Sequence, residues 1–270
     1  MKKLLNATLV LSLFSGSMFA ASLQEIQAKK EVRIALSTKN QPFSSLKNNQ
    51  FVGFEVELAK KIGEKLIGDN GKITFVGLTN PNQKVQFLEE DKVDIVIANF
   101  LKTDKLAKQV DFAMPYFSVA IASLSKKGQK TNLLDLKKVA IKDGFSPAEE
   151  VCAKACPSAE IIKVKDNNEA WELIKENKID GYVNTNLVVM AYPMMDDELE
   201  IAHKKIGNNM FLSPGVKKGN KELIKAINEV MFELSKAGYF RQIYEDSFGK
   251  FYKDITVAED FLLEDLYSSF

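Results

Sequence analysis

Residues 93–117, VDIVIANFLKTDKLAKQVDFAMPYF, decide how the chain is read. Ile95, Val96, Ile97 and Ala98 form a continuous apolar run of strand length, the pattern of a parallel strand covered on both faces. Asn99 and Phe100 stand where that strand ends. Thr103 followed by Asp104 has the form of a helix N-cap and first turn, and Ala107 and Val110 continue an apolar stripe. Open α/β sheets keep their ligand crevice outside the carboxyl ends of strands, so Asn99 to Leu106 is the first candidate site.

A second copy of this arrangement turns a local reading into an architectural one. LEEDKVDIVIAN, Leu88 to Asn99, aligns without a gap on IKENKIDGYVNT, Ile174 to Thr185, 86 residues later. Leu88 matches Ile174, Lys92 matches Lys178, Val93 matches Ile179, Asp94 matches Asp180, and Asn99 falls opposite Thr185. Two helix-to-strand units therefore sit in two halves of the chain.

The N-terminus has the composition of an export signal. Lys2 and Lys3 precede an apolar run from Leu4 to Phe14, and small residues follow up to Ala20 and Ala21, giving an expected signal peptide over 1–21 and a periplasmic mature protein. The run is shorter than the roughly 20 residues that span a bilayer. The roughly 250 residues left exceed what one core usually serves, so two lobes are expected. With 37 basic and 36 acidic residues interspersed, net charge is +1, which gives no electrostatic footprint for nucleic acid.

Along the mature chain, strands and helices alternate. Val32, Ile34 and Leu36 mark a strand that ends at Asn40-Gln41-Pro42-Phe43, and Phe54, Leu58, Ile62 and Leu66 mark one helix face. Ile73 to Val76 is a strand, and a helix through Val85 and Leu88 leads into Val93. Helices between successive strands imply parallel pairing. A first lobe crossing is expected in Ser118 to Ile121 and a return at Asn208 to Pro214. Between them lie strands at Val139, Ile161 and Tyr182, a helix started by Pro147, and a short Met-rich helix from Asn186 to Met195. Leu223, Ile224, Ile227, Met231 and Leu234 give the strongest amphipathic helix, stopped by Gly238. The tail 254–270 has no clear period.

The ordered series QPF, GFEVELAKKIG, KVDIVIANF, TDK, KQVDF, PYF, a Gly-Ser turn before AEE, KIDGYV, PGVKKGNKEL and AGYFRQIYEDSFG resembles the polar amino-acid family of periplasmic solute-binding proteins of ABC importers, over about residues 30–250. The resemblance implies an α/β fold of two lobes, each a mostly parallel sheet flanked by helices, hinged by two crossover strands. It implies a first lobe of 22–117 plus 214–270 around a second lobe of 118–213. It also implies a monomer that closes on a small-molecule ligand and delivers it to an ABC importer membrane permease, with no cofactor.

The same resemblance maps the ligand residues unevenly. The family places an Arg three residues after the Thr of a T-x-x-R turn to grip an α-carboxylate; here that position is Leu106. The hydroxyl two residues before the Thr is Leu101, and the acid that binds the α-ammonium, five after the Asp of the KIDGYV strand, is Thr185. Removing one partner of a buried hydrogen-bonded charge pair costs about 2–5 kcal/mol, roughly thirty-fold to several-thousand-fold in affinity. Lys102 and Lys105 are offset from the Arg position and lack its planar fork. Ordinary α-amino acids are therefore expected to be poor ligands, and the cleft contacts to be Asn40, Phe43, Asn99, Phe100, Leu101, Leu106, Ser146 and Thr185. For each there is a plainer role: Phe43 and Phe100 as core rings, Leu101 and Leu106 packed on their own lobe, Asn99 and Thr185 as helix caps.

Cys152 and Cys156 lie four apart in an expected helix, and in an exported protein a disulfide is the leading reading, with free thiols next. The only histidine, His203, has no spacing relation to them, so no metal site is expected. Three functional classes stand: a receptor for a membrane importer, an enzyme on the same scaffold resembling a cyclohexadienyl dehydratase, and a ligand-sensing module. No nucleophile–His–acid set is visible, and Glu55 or Glu149, both read as helix-surface charges, are the acids nearest the expected cleft.

Overall fold

The computed structural model describes residues 21–263 apart from 69, 130, 131, 145, 254 and 255. The signal-peptide reading therefore lies outside the described residues except at Ala21, as does the tail beyond 263. The chain opens with α1, Leu23–Lys29, started by a capping box between Ser22 and Glu25. Strand β1, Glu31–Ser37, follows, then a small antiparallel sheet of β2 (Lys39–Asn40), β3 (Ser44–Lys47) and β4 (Gln50–Val52). Helix α2, Phe54–Ile67, buries Phe54, Leu58, Ile62 and Leu66 along one face.

Strand β5 (Lys72–Leu78), helix α3 (Gln83–Glu89), strand β6 (Ile95–Val96) and strand β7 (Val110–Phe112) complete the first part of the chain. The apolar run at 95–98 is buried throughout, but only Ile95 and Val96 are laddered as strand, with the Ile97 amide extending the pairing to Ala35. The helix expected after Thr103 is a single 3-10 turn, Leu106–Lys108. Thr103 does cap it, its hydroxyl accepting the Leu106 amide at 3.2 Å. The turn stops because Val110 enters the sheet as β7, so tertiary pairing overrides the local helical pattern.

Strand β8, Phe117–Lys126, leaves this part of the molecule and enters a second sheet. That sheet also holds β9 (Lys138–Lys142), β10 (Glu160–Val164) and β11 (Gly181–Thr185), with α4 (Ser146–Ala155) and α5 (Asn167–Lys175) between them. Two short helices, α6 (Asn186–Met190) and α7 (Tyr192–Met195), take the place of the Met-rich helix, with Pro193 tolerated in the first turn of α7. The 14-residue strand β12, Leu199–Leu212, returns the chain to the first sheet, where β13 (Gly215–Lys217) is inserted between β6 and β7. Helices α8 (Lys221–Lys236) and α9 (Tyr239–Tyr244) follow.

The result is two lobes. The first sheet runs β5-β1-β6-β13-β7, the second β10-β9-β11-β8-β12. Strands β1, β5 and β6 are mutually parallel and β13 runs against them; β9, β10 and β11 are mutually parallel, β8 runs against them, and β12, antiparallel to β8, runs with them. Phe117 and Val119 of β8 belong to the first lobe's core, whereas Ile121, Ala122 and Leu124 belong to clusters of the second sheet.

The repeated sequence unit is a repeated structural device. Asp91 and its counterpart Asn177 both adopt left-handed φ, 53° and 54°, and end their helices. Asp94 donates its amide to the Arg33 carbonyl and accepts the Arg33 amide on its carboxylate; Asp180 makes the same pair of bonds with Lys138. The matched aspartates thus pin β6 to β1 and β11 to β9.

The disulfide reading is corrected: Cys152 and Cys156 are free thiols, both buried. A regular helical bond joins Cys156 N–H to the Cys152 carbonyl at 2.8 Å. Helical neighbours four apart keep their Cβ atoms about 5–6 Å apart, beyond the roughly 3.5–4.5 Å that a disulfide requires. Both side chains pack with Ile121, Val139, Ile141 and Val183 instead.

Candidate ligand cleft at the facing strand ends

Pairing register fixes which way the strand ends point. Thr185, the last residue of β11, lies opposite Ile121, while Tyr182 lies opposite Leu124 further into the second lobe. The carboxyl end of β11 is therefore aimed back along β8 toward the first lobe. In that lobe, β13 begins at Gly215 opposite Val96, directly after β12 has brought the chain back. Leu101 bridges to Leu212, the last residue of β12, and the Lys102 amide donates to the Phe211 carbonyl. The carboxyl ends of β6 and β11 thus both converge on the two crossover strands, one from each lobe, as a strand-end crevice requires.

On the first lobe, Asn99 is the residue at this edge. It has a left-handed φ of 48°, a conformation that Asn tolerates better than most residues. Its amide donates to Glu55 Oε1 at 2.5 Å, and its carbonyl accepts Lys84 Nζ at 2.8 Å. Tyr116 donates its hydroxyl to the same Glu55 oxygen at 2.5 Å, and Ser44 Oγ lies 3.4 Å from the other. Burial is the largest influence on Glu55 and pushes its carboxyl up, opposed by Tyr116, the Asn99 amide and Lys84. Burial also draws the Lys84 ammonium down to about 8, with Glu55 acting in the opposite direction. The ammonium lies 5.7 Å from the centroid of the Phe100 ring.

Glu55 is therefore an interior group and not the surface charge expected. Helical spacing held the signal: Glu55, Leu58, Ala59 and Ile62 share the buried face of α2. Glu149 is half-buried at the surface and ion-paired with Lys163. Lys84 carried no motif that would have drawn attention, and Tyr116 entered only as part of the PYF motif, with no role of its own.

Two expected ligand contacts, Phe43 and Phe100, lie in the packed core. Phe43 is 3 % exposed, with its ring edge-on to Phe117 and Phe248 at centroid distances of 5.1 and 4.9 Å. Phe100 is 1 % exposed, edge-on to Phe112 at 4.9 Å. Both rings pack among neighbouring aromatic side chains, the plainer of their two expected roles. Leu101 is half-buried against the first lobe's core, and Leu106 is half-buried against the cluster of Ala35, Leu78 and Val110. Asn40 is half-buried at the end of β2. Thr185 is half-buried and starts α6 without a side-chain capping bond, so its hydroxyl is not committed to the helix. Ser146 begins α4, and its side chain lies outside the described residues. Two surface grooves, of 330 and 260 Å³, lie around Lys218 and Cys156; neither is lined by Asn99 or Thr185.

Residues 32–250 match the bacterial extracellular solute-binding proteins, family 3. The chain belongs to this family. A glutamine-binding protein of an ABC transporter from Bacillus subtilis is 25% identical over 83% of each chain. A probable histidine-binding protein from Campylobacter jejuni is 28% identical, covering 89% of this chain and 96% of its own. Among solved structures, the cysteine-binding protein of Campylobacter jejuni aligns with a TM-score of 0.72 and 28% identity, covering 89% of this chain and 98% of its own. The solute receptor for L-cysteine of Neisseria gonorrhoeae aligns with a TM-score of 0.73 and 28% identity, covering 90% and 99%. The family match and these alignments agree with the two-lobed fold described above.

Proposed function

We propose that this chain is the extracytoplasmic receptor of an ABC-type importer and captures a small polar or amphipathic molecule by closing its two lobes. In this reading residues 1–21 are an export signal, 22–117 with 214–270 form one lobe, and 118–213 the other. The mature protein works as a monomer in the periplasm, binds no nucleic acid, and hands its cargo to a membrane permease. The relatives bear names of amino-acid receptors, which supports a cargo of amino-acid size.

The observation that carries the reading is the pair of facing strand ends, with Leu106 beside one and Thr185 at the other. Neither residue holds a fixed charge, so the cargo is held by shape and neutral hydrogen bonds from Asn99, Leu101, Thr185 and their neighbours. A receptor is favoured over an enzyme because Glu55 is engaged by the Asn99 amide and Tyr116, and Glu149 by Lys163, which leaves neither acid free to move a proton on a substrate.

Native mass spectrometry of protein purified without denaturation is expected to show a retained small molecule, lost in Thr185→Ala. Calorimetric titration with the standard amino acids is expected to give near-millimolar binding or none. A charge-restored variant, Leu101→Thr with Leu106→Arg and Thr185→Asp, is expected to gain at least tenfold in affinity for one of them. Tight amino-acid binding by the unaltered protein, abolished in Thr185→Ala, refutes the altered-clamp reading.

A further inference from the structure

The match to the family ends at residue 250, yet the chain beyond it is built into the junction between the lobes. A 3-10 turn at Ala258–Asp260 is closed by the Asp260, Phe261 and Leu262 amides bonding back to Val257 and Ala258. It delivers Phe261, 1 % exposed, onto Phe117 at a centroid distance of 5.4 Å and onto Tyr244 at 6.2 Å, with rings close to parallel. The Phe261 carbonyl accepts the Ser118 amide at 2.7 Å.

That last bond has a reason in strand geometry. Ser118 and Ala120 are two apart on β8, so their amides point to the same edge of the strand. This is the edge that β11 occupies as far as Thr185 opposite Ile121, after which the sheet stops. Buried amides beyond the end of a sheet need other acceptors. Ala120 finds the Asn186 side-chain oxygen at 3.3 Å, and Ser118 finds Phe261. Just upstream of the turn, Tyr252 donates its hydroxyl to the Leu187 carbonyl of α6 at 2.9 Å, a buried bond to a helix that follows the second sheet.

We propose that residues 256–263 form a strap that stiffens the hinge. The strap fixes Phe117 and Ser118 to the first lobe, so that bending of the crossover is confined to residues 119–121 of β8. The facing part of β12 has register shifts between His203 and Ile206 and between Ile206 and Met210, which is where a strand pair twists most easily. A stiffer hinge has less conformational freedom to lose when the lobes close.

Amide hydrogen exchange tests the strap on the whole mature protein against a chain ending at Lys253. Loss of the strap is expected to speed exchange at residues 117–122 and 206–213 at least tenfold, with β9, β10 and β11 unchanged. Phe261→Ala, which keeps the backbone, is expected to give a smaller rise, about threefold, at the same residues, and serves if the shortened chain does not fold. Unchanged protection at 117–122 in the variant that folds overturns the proposal. So does a loss spread evenly through α2, β1 and β5, which would make the segment an ordinary part of the first lobe's core.

Discussion

Glu55 and Lys84 hold Asn99 from opposite ends, the carboxylate at its amide and the ammonium at its carbonyl. A buried carboxylate and a half-buried ammonium thereby fix one left-handed residue just past the end of β6, with Tyr116 sharing the same carboxylate oxygen. Removing one partner of such a pair leaves the other uncompensated and costs about 3–5 kcal/mol. Glu55→Ala is expected to lose stability in that range by urea denaturation, and Glu55→Gln, which keeps an oxygen for the Asn99 amide, to lose less than half as much. Equal losses in the two variants would show that charge, and not the acceptor, holds the turn.

The pH dependence of the same pair has a definite sign. In the folded protein burial brings Lys84 down to about 8, against an ordinary value of 10.5. Between those values the unfolded chain binds the proton and the folded chain has released it. Stability from this group therefore rises with pH from about 8 to 10.5 and is flat below 8. Urea midpoints at pH 7, 8, 9 and 10 should show the unaltered protein gaining on Lys84→Met across the upper half of the series. A constant difference would mean that the ammonium keeps its proton throughout.

The two matched aspartates should differ in weight despite the pair of backbone bonds they share. Asp94 is buried and also accepts the Arg33 guanidinium, at 2.6 and 3.2 Å, whereas Asp180 is half-buried and bonds only the Lys137 and Lys138 amides among its described partners. Hydrogen bonds to charged groups contribute about 1.5–3 kcal/mol, and exposed ones less. Asp94→Ala is expected to cost about 3 kcal/mol and Asp180→Ala about 1 kcal/mol, read from denaturant midpoints at constant slope.

The repeat was legible because it is local: each unit is a helix, a left-handed stop, an aspartate and an apolar strand within about a dozen residues. Helix faces such as Phe54 to Leu66 were legible for the same reason, since one side packs and the other does not. What escaped was set by distant partners. The helix after Thr103 shrank because β13, more than a hundred residues later, draws Val110 into a sheet. Phe43 and Phe100 sat at strand ends as site residues would, but the rings that enclose them come from 112, 117 and 248. Lys84 is ordinary in its own helix and joins the candidate site only through a strand end fifteen residues on.

The thiols should behave as interior groups. Burial pushes both Cys152 and Cys156 above the ordinary thiol value, so at pH 8 the nucleophilic thiolate is scarce and shielded. Native protein is expected to resist iodoacetamide for hours, and to take up two labels after unfolding without reductant. A mass showing no label after unfolding would mean that the bridge forms in solution.

Gly215 offers the sharpest test of how the first lobe receives the returning chain. It is the first residue of β13, paired with Val96 on one side and Phe112 on the other. A Cβ there would stand 2.6 Å from Cε1 of Phe100 and 2.7 Å from its Cδ1, closer than carbon atoms approach. The ring has no room to retreat, being 1 % exposed, edge-on to Phe112 and close to the Lys84 ammonium. Inserting a methyl into such a contact costs about 1–3 kcal/mol. Gly215→Ala is expected to fall in that range, and Gly215→Ala with Phe100→Leu to recover at least half of the loss. Because Phe100 follows Asn99, the single variant is also expected to weaken cargo retention in native mass spectrometry, and the double variant to restore part of it. Stability unchanged in Gly215→Ala would mean that the ring and strand are not in the contact described.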